Sequence, residues 1–390
     1  MRPFAIFWAG AENTVRVLHV INGLGLGGAE ALLYRIVTRP SDIEHGVIVL
    51  EGRDWYSPLL EERGIAVEHL EMTSLQSSAK GLLRLNRLIR NSEADVVQTW
   101  MYRSNVLGGL YARAAGKPVV WGVHCSSLEA LGTASRLVVY MSGALAPWIP
   151  DFIVNCSTGS EELHRRLGYQ LAPGAVIHNG YDQATFRPDN TARGNSRRLL
   201  GISPDTFLVG SIGRWHLQKG IPILLRAWRM VSERGIPIHC VLVGRGLDAD
   251  NSNLTALVAE CGCADFVQPL GERSDIPDIA RALDLHVLAS IGSEAFPNVV
   301  GETMLSGTPN VVTDVGDSAL IVGETGWVVP PRDPVQLATA IEQAWREWKD
   351  QPEGWATRGL TARRRIADNF TQDRMTAAYE QVWRKISARA

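Results

Sequence analysis

The 390-residue sequence has few cysteines, no long apolar run and no excess of charge of either sign. Its five cysteines form no C-x-x-C pair, which argues against a disulfide framework or a zinc ribbon and fits a reducing compartment. A formal net charge of −2 argues against a nucleic-acid-binding domain, which usually carries a strong basic excess. The chain also lacks internal repeats and low-complexity tracts, so neither a solenoid nor a disordered protein is indicated.

Membrane-spanning and targeting segments are not predicted. The most apolar stretch, 137–154, contains Pro147, Pro150 and Asp151 and falls short of the roughly 20 clean residues that a spanning helix needs. The first ten residues hold a short apolar run but no basic segment and no cleavage site, so we expect a loose arm there rather than a signal peptide. We therefore predict a cytoplasmic protein, which can still lie on a membrane surface.

Short apolar segments alternate with helix-like segments along the chain. In the first half, strands are predicted at 15–22, 46–50, 67–70, 95–99, 119–123 and 152–156. Helical patterns at 29–38, 78–91 and 105–115 lie between them. The pattern restarts after a polar stretch, with strands at 207–212, 239–243, 266–270, 285–289, 310–313 and 327–329. The helices of this half are predicted at 223–234, 253–259, 276–283, 299–305 and 335–348.

The alternation predicts an α/β protein with two doubly wound parallel sheets, each covered by helices on both faces. We expect a first domain at 1–182 and a second at 183–370, joined by a linker at 179–195. In sheets of this kind, ligands bind beyond the carboxyl ends of the strands. Functional residues are therefore expected in the loops that follow the strands.

A glycine-rich turn, Gly23-x-Gly25-x-x-Gly28, follows the first strand and opens a helix, and Glu51 ends the next strand. Read literally, this is the dinucleotide-binding fingerprint, with Glu51 as the acid that binds ribose. Two other interpretations stay open. The turn can simply be tight, or a phosphate or sugar can approach the amides of Gly27 and Gly28 at the helix start.

A cationic turn follows the first strand of the second domain. Arg214 and Lys219 lie five residues apart there, where both can converge on one diphosphate. Arginine offers a planar fork for phosphate oxygens and lysine a compact charge. The alternative is a pair of solvated surface cations, and the position at a carboxyl strand end favours the diphosphate.

Two glutamates, Glu294 and Glu302, surround a predicted helix start at Pro297 and Asn298. The amides of Asn298, Val299 and Val300 would face the ligand, and a helix N-terminus attracts a diphosphate. A carboxylate at Glu302 can accept hydrogen bonds from ribose hydroxyls, and Glu294 can meet sugar hydroxyls. The structural alternative is that Glu302 only complements the helix dipole.

Together these residues resemble the retaining glycosyltransferases of family 4. The resemblance rests on Gly27-Gly28-x-Glu30, the Arg214/Lys219 turn, Val241-Leu-Val-Gly244-x-Gly246, Glu294/Glu302, Thr313-Asp-Val-Gly316 and Gly326-Trp-Val-Val-Pro330. It covers residues 15–383 and is strongest at 207–334. A weaker likeness at Gln98-Thr-Trp-Met-Tyr102 indicates the members that build exopolysaccharides and other surface glycans.

The resemblance implies the GT-B fold, in which two Rossmann-like domains face each other across a cleft, with a final helix in 371–390 returning to the first domain. It implies a nucleotide-sugar donor, most simply a UDP-sugar, a glycan or lipid-linked glycan acceptor, and front-face attack without a dedicated nucleophile. The roles it implies are as follows: Arg214, Lys219, Asn298, Val299 and Val300 at the diphosphate, Glu302 at the ribose, Glu294 at the donor sugar, His124 at the donor sugar or its phosphate, and Gly27, Gly28 and Gly244 around the nucleotide-sugar.

The sequence departs from the family pattern at three positions. Ala295 stands where many members have glycine, and Thr303 where many have alanine; both are small changes. Trp100 stands where many members have histidine, which concerns acceptor recognition. For His124, which ends the strand 119–123, a purely structural role stays open.

No metal or other cofactor is expected. Asp248-Ala249-Asp250 matches the metal-binding D-x-D of a different glycosyltransferase fold, but it lies in a polar loop with no third ligand close in sequence, so we interpret it as solvated. The cationic turn and the helix start can stabilise a leaving diphosphate without a metal.

A predicted helix at 78–91 places four cations, Lys80, Arg84, Arg87 and Arg90, on one face, with leucines on the other. Such a helix can lie on an anionic bilayer, although an ordinary surface helix of an α/β domain has the same pattern. Three other functions also remain open: a nicotinamide-dependent oxidoreductase that uses the Gly23–Gly28 turn, a nucleotide-sugar epimerase of the same fold, and a non-catalytic partner subunit.

Overall fold

The computed structural model describes residues 8, 14–128, 132–292 and 294–389. They form two compact units: unit 1 comprises Met1–Asn179 and Gln372–Ala390, and unit 2 comprises Gly180–Thr371. The boundaries expected at 182/183 and 370/371 lie within three residues of these divisions. The arm expected at 1–10 lies outside the described residues, apart from Trp8.

Unit 1 is built on a seven-stranded parallel sheet with the order β3-β2-β1-β4-β5-β6-β7. Its strands are β1 Val15–Ile21, β2 Ile43–Val49, β3 Ala66–His69, β4 Val96–Trp100, β5 Val119–Val123, β6 Phe152–Asn155 and β7 Gly174–Val176. Its first six helices are α1 Gly28–Val37, α2 Tyr56–Glu62, α3 Leu75–Asn91, α4 Tyr102–Ala114, α5 Thr133–Leu145 and α6 Thr158–Arg166. Alternate residues of β1 enter different cores: Leu18 and Val20 pack on one face of the sheet, and Val17 and Ile21 on the other.

Unit 2 is built on a six-stranded parallel sheet with the order β10-β9-β8-β11-β12-β13. Its strands are β8 Phe207–Ile212, β9 Ile238–Val243, β10 Val267–Gly271, β11 Leu285–Leu288, β12 Asn310–Thr313 and β13 Trp327–Val329. Its helices are α7 Asn190–Leu199, α8 Ile221–Glu233, α9 Ser252–Glu260, α10 Ile276–Ala282, α11 Asn298–Leu305, α12 Ser318–Val322, α13 Pro334–Asp350 and α14 Pro352–Asn369. The strand order reverses between β8 and β11, which is where sheets of this type bind ligands.

The last helix, α15 Gln372–Ser387, belongs to unit 1. Its Trp383 indole nitrogen donates to Gln98 Oε1 of β4 at 3.0 Å, and the Gln372 amide donates to the Arg35 carbonyl oxygen of α1 at 2.7 Å. Tyr379 and Trp383 are fully buried in the core beneath β1. The final helix that the family resemblance implies is therefore present, and it completes the core of unit 1.

The linker predicted at 179–195 is wrong, because residues Asn190–Leu199 form α7. Asp189 caps this helix by accepting from the Ala192 amide at 2.9 Å. Arg193 and Arg197 reach the buried Asp284 just before β11, at 2.5 and 3.0 Å. These cations therefore pair with a buried carboxylate instead of being solvated in a linker.

Two histidines on neighbouring strands of unit 1, His19 and His45, are in contact and are expected to make its stability depend on pH. Trp100 Nε1 donates to His19 Nδ1 at 3.2 Å, so the other ring nitrogen of His19 carries the proton and donates to His45 Nδ1 at 3.0 Å. Burial lowers the pKa of His19 well below its ordinary value, helped by the charge of His45, and burial lowers the pKa of His45 to about 4. Both rings are therefore neutral in the folded protein.

We expect the free energy of unfolding of unit 1 to be largest above pH 6.5 and to fall as the pH drops toward 4. Between pH 6.5 and pH 4, the histidines bind protons in the unfolded chain but stay neutral in the folded protein. The free energy of unfolding should therefore fall by an amount on the order of 1–3 kcal/mol. Chemical denaturation at pH 7 and pH 5 measures it. His45→Gln should reduce the difference between the two pH values, whereas His239→Gln, a control in unit 2, should not. An equal response of both variants would contradict the assignment.

Candidate functional site

The turn after β8 carries Arg214 and is held against the loop after β9. The Gly213 amide donates to the Val243 carbonyl oxygen at 2.8 Å, and the Trp215 amide donates to the Arg245 carbonyl oxygen at 2.8 Å. Gly244 has a φ of +136°, and a methyl group there would overlap the Gly213 carbonyl oxygen. The close approach of these two loops explains why glycine occupies position 244.

Lys219 ends a single 3₁₀ turn, Leu217–Lys219, immediately before α8. Gly220 follows with a φ of +64°, and a methyl group there would overlap the Ala289 carbonyl oxygen at the end of β11. The Ile291 amide donates to the Gln218 carbonyl oxygen at 2.8 Å. These contacts lock the loop that follows β11 onto the cationic turn.

Glu294 lies in that loop and is only 8% exposed. Its Oε1 accepts hydrogen bonds from Lys219 Nζ and, at 2.6 Å, from Ser290 Oγ. Ser290 is itself held by Thr313, whose hydroxyl donates to the Ser290 carbonyl oxygen at 2.6 Å. The structure thus brings two predicted site residues, Lys219 and Glu294, into one ion pair. Sequence reasoning missed Ser290. The sequence pointed to this place only through the Thr313-Asp-Val-Gly motif, whose threonine contacts Ser290 in the folded chain.

Helix α11 begins at Asn298, with Pro297 before it in extended backbone and without a side-chain cap. The side chain of Val300 is buried, and that of Val299 packs partly against the core, so these residues can offer a ligand mainly their backbone. Glu302 is half-buried one turn into the helix. Arg214 is exposed on the cationic turn, where it is accessible to an anion.

The glycine turn of unit 1 has a different electrostatic character. Carboxylate oxygens of Glu51, Asp54 and Glu30 lie where side chains at Gly23, Gly25 and Gly27 would extend. At Gly28 a side chain would extend into open space. Burial raises the pKa of Glu30 above its ordinary value, and the neighbouring carboxylates add to the effect. Arg103 reaches Glu51 at 3.6 Å, so the turn carries three carboxylates beside one cation. This excess of negative charge disfavours the phosphates of a dinucleotide relative to sugar hydroxyls.

His124 directly follows β5, and its ring stacks on Trp100 with centroids 5.3 Å apart. Burial lowers its pKa to about 4, so the imidazole is neutral near pH 7. Its Nε2 is buried and has no hydrogen-bond partner among the described residues. A neutral, unpaired ring nitrogen can bind a polar ligand group. Trp100 is fully buried, so its departure from the family pattern serves the core of unit 1.

Asp248 and Asp250 lie in the loop between β9 and α9. Among residues 8, 14–128, 132–292 and 294–389, no group of three or more histidine, cysteine, aspartate or glutamate side chains is arranged to hold a metal ion. That transfer needs no metal remains a prediction.

The chain matches two family models. Residues 26–185 match "Glycosyltransferase Family 4", and residues 206–347 match "Glycosyl transferases group 1". The chain belongs to the family 4 glycosyltransferases, which confirms the resemblance seen in the sequence.

Three relatives show the breadth of this family. An Escherichia coli UDP-Gal:alpha-D-GlcNAc-diphosphoundecaprenol alpha-1,3-galactosyltransferase is 28% identical over 64% of this chain and 66% of its own length. The lipopolysaccharide core mannosyltransferase LpsB of Rhizobium meliloti is 31% identical over 56% of this chain and 64% of its own length. The glycosyltransferase EpsF of Bacillus subtilis, itself a putative assignment, is 25% identical over 77% of this chain and 79% of its own length. The chain spans about two thirds of the length of the first two.

Solved structures confirm the fold. HepE of Anabaena, crystallised with UDP, has a TM-score of 0.83 and 22% identity, covering 95% of this chain and 100% of that one. A sucrose-phosphate synthase of Thermosynechococcus elongatus has a TM-score of 0.79 and 20% identity, covering 96% of this chain and 100% of that one. The two Rossmann-like units are therefore those of the GT-B class.

The Glu294 loop depends on a glycine at position 316. Gly316 has a φ of +58°, and a methyl group there would overlap the Glu294 carbonyl oxygen. We expect Gly316→Ala to lower the free energy of unfolding by about 1–3 kcal/mol through backbone strain and this overlap. Denaturant titration measures it. Gly354→Ala, in helix α14 and with room for a methyl group, should be neutral or stabilising. If Gly316→Ala leaves the free energy of unfolding unchanged, the loop accommodates the methyl group, and the expectation is contradicted.

Proposed function

We propose that this chain transfers a sugar from a UDP-sugar to a glycan or lipid-linked glycan, with retention of anomeric configuration, in the synthesis of a surface polysaccharide. The observation that carries the proposal is the Lys219–Glu294 ion pair beside Arg214 and the start of α11, within a family 4 glycosyltransferase. HepE binds UDP and UDP-glucose, which supports a UDP-linked donor. The galactosyltransferase relative acts on a diphosphoundecaprenol-linked acceptor, which supports a lipid-linked one.

In this proposal, positive charge stabilises the leaving diphosphate. Arg214, Lys219 and the amides of Asn298, Val299 and Val300 at the start of α11 supply it. Lys219 is held by Glu294, and the backbone at the start of α11 is held by helix packing, so these groups need little reorganisation as charge develops. The Lys219 ammonium has three protons, and therefore binds a phosphate oxygen while it still donates to Glu294. No step of the proposal needs a metal.

The remaining groups orient the sugar and the ribose. Glu302 accepts hydrogen bonds from the ribose hydroxyls, and Glu294 accepts them from the donor sugar. The acceptor oxygen forms its bond to the anomeric carbon on the face that the diphosphate leaves. The bond from that carbon to the phosphate oxygen breaks, and the departing phosphate takes the acceptor proton.

The three alternative functions have less support. A nicotinamide dinucleotide at the Gly23–Gly28 turn would face the carboxylates of Glu30, Glu51 and Asp54. An epimerase shares the fold, but both family models that match are those of glycosyltransferases. A non-catalytic subunit would not need the Lys219–Glu294 pair. Release of UDP that depends on an added acceptor distinguishes transfer from all three.

Lys219→Ala should lower the turnover of UDP-sugar by about 10²–10³-fold, because it removes a charge that stabilises the diphosphate. Turnover is followed as UDP release in the presence of a lipid-linked glycan. Lys349→Ala, at an exposed position on α13, is the matched control and should keep full turnover. Circular dichroism confirms that both variants are folded. Near-normal transfer by Lys219→Ala would overturn the proposed role of this turn.

We further propose that unit 1 contacts an anionic membrane through helices α3, α4 and α5. Within the described residues, no helix has the length and apolar character that crossing a bilayer demands, so the contact would be superficial. The three helices pack side by side on one face of the sheet. Their sequences contain seven lysines and arginines and no acidic residue. Three of these cations, Arg84, Arg103 and Arg113, pair with carboxylates outside the three helices. The whole chain, by contrast, has a net charge of −2.

The outer surface of these helices is also unusually apolar. Leu83 is 73% exposed and Trp148, just beyond α5, is 69% exposed. Other large apolar side chains exposed on α4 and α5 are Leu110, Leu137, Tyr140 and Met141. Apolar side chains among cations are what a peripheral membrane surface requires. One predicted member differs: Arg84 pairs with Glu68 and donates to the His69 carbonyl oxygen at 2.9 Å, so it contributes less than the other three cations.

Reversing the charges of Lys80 and Arg87 in the double variant Lys80→Glu/Arg87→Glu should reduce co-sedimentation with phosphatidylglycerol vesicles several-fold at low salt, because each cation near an anionic surface contributes about 1 kcal/mol. Arg198→Glu/Arg226→Glu, which changes two exposed cations of unit 2, is the matched control. Equal loss in both double variants, or no loss in either, would contradict a membrane face on α3–α5.

A further inference from the structure

Three buried polar side chains beside the cationic turn have no role in the proposed chemistry. They are His286 on β11, Asn310 at the start of β12 and Thr303 on α11. Each is at most 1% exposed. Burying polar groups costs free energy unless they bond to one another, so a connected set in this place calls for an explanation.

The three side chains form a continuous set of hydrogen bonds. His286 Nδ1 lies 2.6 Å from Asn310 Oδ1, and the Asn310 amide nitrogen donates to the Thr308 carbonyl oxygen at 3.0 Å. Because Asn310 Oδ1 is an acceptor, His286 Nδ1 carries the proton. The other ring nitrogen then accepts from the Ile212 amide, at 3.4 Å. Burial lowers the pKa of His286 to about 4, which keeps the ring neutral as this arrangement needs.

Thr303 connects this set to helix α11. Its hydroxyl lies 3.1 Å from Asn310 Oδ1, and 2.9 and 3.0 Å from the Val299 and Val300 carbonyl oxygens one turn back. Its single proton serves one acceptor at a time, and the bond to Asn310 is the one that reaches outside the helix. Thr303 directly follows Glu302, and it is one of the positions where this chain departs from the family pattern.

One end of the set bonds to the last residue of β8, and the other end lies on α11. The proposed diphosphate site is formed by the segments that adjoin these two elements. Ile212 is the last residue of β8, and Gly213 and Arg214 follow it. Thr303 sits on the helix whose first amides would face the same diphosphate. If the set holds α11 in place, a change at any of its members alters the spacing between the cationic turn and the start of α11. Displacements of about 1 Å remote from the chemistry can cost 10²-fold in rate.

We propose that Thr303, Asn310 and His286 are positioning residues that hold α11 at a fixed distance from the end of β8. They touch no substrate and act through the Arg214–Lys219 turn and the helix start. This inference rests on the proposed function of unit 2, and one of its two tests is independent of that function.

The test compares two threonines with matched surroundings. Thr303→Val removes the hydroxyl and keeps the shape of the side chain. Thr308→Val does the same at a residue that is 3% exposed and whose hydroxyl donates to the Ala280 carbonyl oxygen at 2.7 Å. This change keeps the Thr308 backbone, which bonds to Asn310 and Thr303, and removes only a hydroxyl that lies outside the set. Both variants lose one buried hydroxyl and should lose a similar amount of stability. Thr308 therefore controls for a purely structural effect.

We expect Thr303→Val to lower kcat about tenfold with KM for the UDP-sugar changed less than twofold, and Thr303→Ser to restore kcat. Thr308→Val should leave both constants near the wild-type values. In amide hydrogen exchange without any ligand, the first turn of α11 should exchange faster in Thr303→Val and not in Thr308→Val.

Equal kcat in the two valine variants, together with equal exchange at the start of α11, would overturn the positioning role. Lys219→Ala, measured in parallel, decides the proposed function separately. A large effect of Lys219→Ala beside identical valine variants would leave the glycosyl transfer standing and reject the inference about Thr303, Asn310 and His286.

Discussion

The ion pair between Lys219 and Glu294 is the interaction on which the site in unit 2 depends. Taking two charges out of water is costly unless further hydrogen bonds stabilise them. Here Ser290 donates to the carboxylate at 2.6 Å, and Thr313 in turn holds the backbone of Ser290. Glycines 220 and 316 allow the neighbouring loops to approach closely enough for the pair to form. The pair thus ties together the loops after β8, β11 and β12.

The turns that follow the first strand of each sheet carry side chains of opposite charge in the two units. In each unit, the first strand of the sheet ends in a glycine-containing turn that leads into a helix. The turn of unit 2 carries Arg214 and Lys219, which suit an anion. The turn of unit 1 is surrounded by Glu30, Glu51 and Asp54, which suit hydroxyl groups. A shared backbone architecture therefore does not set the ligand; the side chains at the strand ends do.

The positive charges of this protein are distributed unevenly, which the net charge of the whole chain does not reveal. A net charge of −2 conceals three adjacent helices with seven cations and no acid. The same helices expose large apolar side chains such as Leu83 and Trp148. Their inner faces nevertheless pack in one core, with Leu85, Ala112 and Val139 fully buried. The amphipathic pattern of α3 is explained by packing in this core and is also compatible with the proposed membrane contact, and the sequence alone does not separate the two.

The sequence by itself determined twelve of the thirteen parallel strands in the described part of the chain, because β-branched runs bounded by glycine and proline report burial on both faces directly. It missed the short edge strand β7. It also placed Arg214, Lys219 and Glu294 in segments that follow strands, and Glu302 on the helix that begins at Asn298. It failed at α7, where polar residues were interpreted as a linker, because their partner Asp284 lies far along the chain. Only the tertiary structure decided that Lys219 pairs with Glu294 and that Arg84 pairs with Glu68. These contacts join residues distant in sequence, and local periodicity carries no information about which side chains the folding of a sheet brings together.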